Sequence, residues 1–124
     1  MENGGTYALK QEAFTMSLLF DYYAGLLTEK QRSYFDLYYN QDLSLSEIAE
    51  QECISRQGVH DTISRAEAIL RDAERSIGCI ARERTLQAAF SRIQTAAQSL
   101  LQHQDPSVRQ NGQAILAALS SAKE

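Results

Sequence analysis

SLSEIAEQECISRQGVHDTI, residues Ser44 to Ile63, is the stretch that decides the fold. Ser44 precedes Glu47 by three positions, the spacing at which each side chain caps the other's backbone amide at a helix start. Ile48 and Ala49 give the short helix that follows a buried side. Glu52-Cys53-Ile54 reads as a tight turn, and Ser55 is the N-cap of a second helix whose inner side carries Val59 and Ile63. Two short helices meeting steeply across such a turn form a helix-turn-helix. Ala49 is small enough for close approach, and Ile54 plugs the angle between the helices.

Around this centre the apolar residues recur at helical spacing almost everywhere, and the 124-residue chain holds one proline and six scattered glycines. An all-helical protein is expected, either one compact domain or a small domain with an extension. Asn3-Gly4-Gly5 gives the first seven residues little reason to be ordered. From Leu9 a helix is expected, with Ala13, Met16, Leu19, Tyr23 and Leu26 facing inward and Phe20 and Leu27 widening the stripe. Exposed members of the Tyr22-Tyr23 pair are a candidate docking surface. Thr28 and Gln31 repeat the capping-box spacing before a helix that carries Tyr34, Phe35, Leu37 and Tyr38. Asn40-Gln41-Asp42 ends it.

Beyond Ile63 the pattern does not stop. Val59, Ile63, Ala66, Leu70, Ala73, Ile77 and Ile80 alternate four and three apart, the seam of one long straight helix. Such a seam needs cover, from later helices folding back or from the same helix of a second subunit. Leu86, Phe90, Ile93, Ala97 and Leu100 repeat the alternation. After His103-Gln104-Asp105, an N-cap followed by Pro106 opens a last helix with Val108, Ile115, Leu116 and Leu119. The expected organisation is a helix-turn-helix head over residues 10–70 and a helical tail over 71–120 that serves packing or homodimerisation.

Charge and chemistry narrow the function. The net charge of −4 is divided unevenly: residues 1–60 hold nine acids and four bases, and residues 61–124 hold seven acids and eight bases. Strong non-specific nucleic-acid binding, which rests on phosphate neutralisation, is thereby disfavoured, and any contact must use a local patch. The candidate patch is the start of the second motif helix: Ser55, Arg56, Gln57, His60, Ser64 and Arg65. Arginine suits guanine or phosphate and glutamine suits adenine, while helix N-terminal amides attract phosphate. Arg71 and Arg75 extend the rim, and Asp61 opposes it. The bland alternative is a solvated polar face. No catalytic constellation is expected: His60 and His103 lie 43 residues apart, and no metal spacing, cofactor motif or phosphate loop occurs. Cys53 and Cys79 read as two reduced, semi-buried thiols of a cytoplasmic protein. Neither a signal peptide nor a membrane-spanning helix is expected, since no basic start with an apolar run and no stretch of roughly 18 apolar residues is visible.

The element order resembles the C-terminal, −35-recognising region 4 of bacterial sigma factors. More closely, the chain resembles the YlxM/p13-like family of small bacterial helix-turn-helix proteins. The stretches that carry the resemblance are LLFDYY (18–23), LLTEKQ (26–31), LYY (37–39), LSLSEIAE (43–50), ISRQ (54–57), VHDTI (59–63) and Arg65-Ala66-Glu67, together about residues 14–75. The resemblance implies a sigma-region-4-like head with a C-terminal helical extension. It further implies a cytoplasmic regulatory protein linked by gene neighbourhood to the signal recognition particle pathway. DNA, RNA or a component of that particle is then the partner to expect. The alternative is a protein-interaction module that kept the scaffold without DNA binding. Two positions depart from the family: Glu52-Cys53 stands where an aromatic residue and Gly or Asn are usual, and Gly58 stands where Ala is usual. A non-glycine residue with positive φ in the turn costs about 1 kcal/mol or more. Gly58 costs roughly 1 kcal/mol in mid-helix and removes a methyl that could meet thymine.

Overall fold

The computed structural model describes the backbone of residues 2–123 and the side chains of residues 12–123. It is all-α: α1 (Glu2–Tyr23), a 3₁₀ turn (Ala24–Leu26), α2 (Glu29–Tyr39), α3 (Leu45–Glu52), α4 (Arg56–Ile77), α5 (Cys79–Leu100) and α6 (Pro106–Ala122). The backbone of α1 is helical from Glu2, ahead of the start expected at Leu9. Two compact units result, Met1–Ile80 and Ala81–Glu124, the division falling inside α5.

The helix starts follow their caps. Thr28 accepts from the Gln31 amide and the Gln31 side chain returns to the Thr28 amide, and Ser44 and Glu47 do the same. Ser55 accepts from the Gly58 amide at 3.0 Å, and Asp105 accepts from the Ser107 amide with Pro106 at the first helical position. Cys53 ends α3 in the left-handed region at φ 58° and ψ 41°. The Ile54 amide bonds back to the Ala49 carbonyl at 3.1 Å, the six-to-one closure of a Schellman turn. Ile54 then packs beside buried Ile48, Ala49, Val59 and Ile63. Three residues, Cys53 to Ser55, thus separate α3 from α4, in a helix-turn-helix-like arrangement.

One stripe of α4 serves two apolar clusters. Val59 and Ile63 join Tyr34, Ile48 and Ala49. Ala66, Leu70 and Ala73 join Met16, Leu19, Tyr23, Leu27 and Phe35, and Ile80 completes that group. The phenyl rings of Phe20 and Phe35 stack at 4.9 Å. Two sequence expectations change here. The long seam is not one helix: Gly78, at φ 71°, caps α4 in the left-handed conformation that glycine adopts without strain, and Ile80 belongs to α5. Its cover also comes from neither source expected, since α1, α2 and α3, which precede it in the chain, bury Val59 to Ala73, while Ile77 stays 44% exposed. Past the end of α1, Leu27 is buried and Leu26, expected to face inward, is 56% exposed, because the tighter 3₁₀ turn rotates the chain before the stripe ends.

Two tyrosines fasten α4 from either side. The Tyr23 hydroxyl donates to Glu74 Oε1 at 2.7 Å and accepts from the Cys79 amide at 3.0 Å. The same carboxylate oxygen takes the Ile80 amide at 3.0 Å, so Glu74 joins α1 to the α4–α5 junction. One heptad earlier, Glu67 accepts from the Tyr39 hydroxyl of α2. Burial, then the bond to its glutamate, pushes each phenol well above its ordinary value of 10.

In the second unit α5 and α6 touch at Gly112, which is buried. A Cβ there would lie 2.9 Å from the Ala97 carbonyl oxygen and 3.0 Å from Leu100 Cβ, so only glycine allows this crossing. Ala97 is buried opposite it. Among the described residues no helix is long and apolar enough to cross a membrane.

Two stability measurements follow from these contacts. Cys53→Gly relieves the left-handed strain, about 1–2 kcal/mol, against a smaller rise in unfolded-chain entropy. Urea unfolding should therefore show a gain of up to about 1 kcal/mol, and a loss would contradict the turn described. The raised phenols make stability complete below pH 10 and eroding as pH climbs beyond it, because the native state then holds protons that the unfolded chain has released. In Tyr23→Phe/Tyr39→Phe the decline above about pH 10 should flatten, with a loss of about 1–3 kcal/mol per removed bond at neutral pH. An unchanged alkaline slope would show that neither phenol is held.

Candidate nucleic-acid interface

The core fixes which side of α4 is free. With Val59, Ile63, Ala66 and Leu70 turned inward, the 3.6-residue period leaves Arg56, Gln57, His60, Asp61, Ser64 and Arg65 on the outer side, and all six are exposed. The sequence-predicted residues thus share one surface. Ser55 stands at its edge with its hydroxyl engaged in capping.

Their partners sort them. Gln57 Nε2 donates to Asp61 Oδ1 at 2.9 Å, and His60 Nδ1 lies 3.5 Å from the same oxygen. Asp61 therefore orients Gln57, which must exchange that bond to meet a base. Arg56 and Arg65 form no ion pair among the described residues. Arg71 is spoken for by Glu12 of α1, at 3.1 Å, and Arg75 by Asp72. These two, expected to prolong the positive rim, are local structural pairs. Glu67, which sequence spacing offers to Arg71, bonds Tyr39 instead.

Arg56 also borders a cleft of about 670 Å³ whose walls include Tyr38 and Tyr39 and whose acids are Glu12, Asp42 and Glu47. A smaller recess of about 140 Å³ shares the two tyrosines and is lined by His60, Ser64 and Glu67. The surface is consequently mixed: two free guanidinium groups against several carboxylates, suited to a salt-sensitive contact of modest strength. Nothing in the sequence signalled that Glu12 and Asp42 stand beside Arg56, because residues 14 or more apart in the chain are brought together only by packing.

The Gly58 departure has a different meaning from the one expected. A Cβ at this position would sit 3.1 Å from Ser55 Oγ and 3.6 Å from Ile54 Cδ1. The absent methyl would thus lie against the cap and the turn. Both cysteines are free thiols, but Cys53 is exposed and only Cys79 is half-buried. Among the described residues no three His, Cys, Asp or Glu side chains come together as metal ligands would.

Comparison with known proteins extends the picture along the chain. A UPF0122 protein of Desulforamulus reducens is 49% identical over 72 residues, which are 58% of this chain and 62% of that protein. One from Thermoanaerobacter sp. strain X514 is 40% identical over 94 residues, 75% of this chain and 80% of its own length. One from Bacillus cereus strain AH187 is 56% identical over 62 residues, 50% of this chain and 56% of its own. The aligned region thus spans about three-fifths of the first relative's length. Residues 10–108 match the profile of a family described as "Putative helix-turn-helix protein, YlxM / p13 like", reaching past the head into α6. The chain belongs to this family, UPF0122.

Proposed function

We propose that this protein is a cytoplasmic regulatory protein that binds nucleic acid through the N-terminal half of α4, with a sigma-region-4-like head and a homodimeric assembly. One observation carries the reading: Arg56, Gln57, His60, Ser64 and Arg65 are exposed on one side of a helix whose other side is locked into the core. That is the arrangement by which a recognition helix reads a major groove. In a dimer on B-form DNA, the two α4 helices would stand about 34 Å apart, one helical turn. The family resemblance points to the signal recognition particle pathway, so the particle's RNA is a candidate target beside genomic DNA.

A second reading is favoured by the carboxylates. Glu12, Asp42 and Glu47 ring the cleft beside Arg56, and Asp61 holds Gln57. A module that uses the same scaffold to grip a protein partner, such as the particle's protein subunit, would tolerate these acids where phosphate would not.

Binding to operator-length genomic DNA, to the particle's RNA and to its protein subunit, each across a salt series, separates the two. Arg56→Ala/Gln57→Ala should weaken nucleic-acid binding about tenfold or more, since one good contact is worth about 1–3 kcal/mol. It should also lower the salt slope by about one for the lost phosphate contact, and leave oligomeric state unchanged. An absence of salt-sensitive nucleic-acid binding at low ionic strength, with the protein subunit still captured, would replace the first reading with the second.

A further inference from the structure

The cleft beside Arg56 has two walls of different chemistry. One is charged: the carboxylates of Glu12, Asp42 and Glu47 stand against the guanidinium of Arg56. Glu12 and Glu47 each commit one oxygen, Oε1, to Arg71 and to the Ser44 amide. Asp42 takes neither a hydrogen bond nor an ion pair among the described residues. The other wall is aromatic. Phe20, Phe35, Tyr39 and Tyr38 meet ring to ring in that order, at 4.9, 4.6 and 4.9 Å between centroids. The run ends at Tyr38, which is half-buried and lines the cleft. Its hydroxyl has no partner among the described residues, whereas that of Tyr39 is held by Glu67.

We propose that this cleft docks an arginine side chain presented by a basic segment of a partner protein, with Tyr38 against the plane of the guanidinium and Asp42, Glu12 and Glu47 around its charge. The site deepens the protein-interaction reading above and rests on it. A nucleotide would bring phosphate up to three carboxylates, and a neutral ligand would leave their charge unanswered. A guanidinium answers both walls, because its flat face stacks on an aromatic ring while its edge donates paired N–H groups to a carboxylate. The ammonium of lysine has neither the plane nor the fork. The cleft volume of about 670 Å³ lies within the roughly 300–1,000 Å³ of small-ligand sites. Arg56, at the same cleft, is then a like charge that weakens docking, the reverse of its role towards phosphate. One residue thereby separates the two classes of partner by the sign of its effect.

Fluorescein-labelled hexa-arginine, hexalysine and hexacitrulline, titrated with the full chain at low ionic strength, read affinity by fluorescence anisotropy, and backbone amide shifts by NMR locate the site. Hexa-arginine should bind about threefold or more tighter than hexalysine, hexacitrulline should not bind, and the largest shifts should fall on Tyr38 and on residues 42–47. Asp42→Asn keeps a residue at ease with the positive φ of this position and should weaken hexa-arginine about threefold. Tyr38→Leu should weaken it about fivefold. Arg56→Ala should tighten it about twofold while weakening nucleic acid. Indifference to both Asp42→Asn and Tyr38→Leu, or shifts centred elsewhere, would overturn the site. So would a single-stranded RNA that shifts the same amides and is lost in Arg56→Ala, since the cleft would then serve nucleic acid. If capture of the particle's protein subunit survives Asp42→Asn and Tyr38→Leu, the cleft falls and the protein-interaction reading stands. If hexa-arginine behaves as expected and the subunit is not captured, that choice of partner falls and the cleft stands.

Discussion

The head hangs on a single helical stripe. Val59, Ile63, Ala66, Leu70 and Ala73 of α4 are the inner wall for α3 and α2 at one end and for α1 and α2 at the other. A helix buried along that line cannot rotate without exposing five apolar side chains, of which Val59, Ile63 and Leu70 are each worth about 1.5–3 kcal/mol when buried in full. The outward direction of Arg56, Gln57, His60, Ser64 and Arg65 is therefore a consequence of core packing and needs no dedicated contact to maintain it.

Polar fastening supplements that packing where the apolar contact thins. Glu74 receives the Tyr23 hydroxyl and the Ile80 amide, so the break at Gly78 is held by the side chain of the turn just before it. Glu67 receives Tyr39 on the opposite flank. Both carboxylates would cost stability if left unpaired beside the core, and Glu67 also lines the recess that holds His60 and Ser64. The acids that line the cleft beside Arg56, Glu12, Asp42 and Glu47, arrive from three separate stretches of the chain. Glu47 is bound to its cap and Glu12 to Arg71, which softens the charge they present. An interface of this kind depends on local guanidinium groups more than on overall field, in keeping with a chain that is net acidic.

The two units use helices differently. In the first, three helices arranged around α4 enclose a core with fully buried Met16, Phe35, Ile48, Val59 and Leu70. In the second, two helices meet through Ala97 and Gly112, and most of the apolar residues on α5 and α6 stay wholly or partly exposed. Two helices have too few neighbours to enclose side chains on every side. Small residues at the crossing bring the backbones close, and Leu86 and Ile93 stay 51% and 44% exposed.

The sequence by itself determined the elements whose signals are local. Capping boxes at Thr28 and Ser44, the caps Ser55 and Asp105 and the proline at 106 mark helix starts through groups no more than three residues apart. The inward spacing of Ile48, Val59, Ile63 and Leu70 followed from helical period alone, and with it the helix-turn-helix-like arrangement and the exposure of the α4 polar face. Tertiary structure decided everything that required knowing what lies across a gap. The heptad spacing from Val59 to Ile80 carried no record of its own cover, so α1–α3 could not be told from a second subunit. Nor did spacing distinguish a glycine that lowers helicity from one that ends α4, since the left-handed turn at Gly78 is held by Tyr23 from 55 residues earlier in the chain. Arg71 had a partner within four residues on paper, yet the folded chain gives it Glu12. Periodicity specifies which side of a helix is apolar; only packing chooses the neighbour, because that choice depends on chain topology and the shapes that meet.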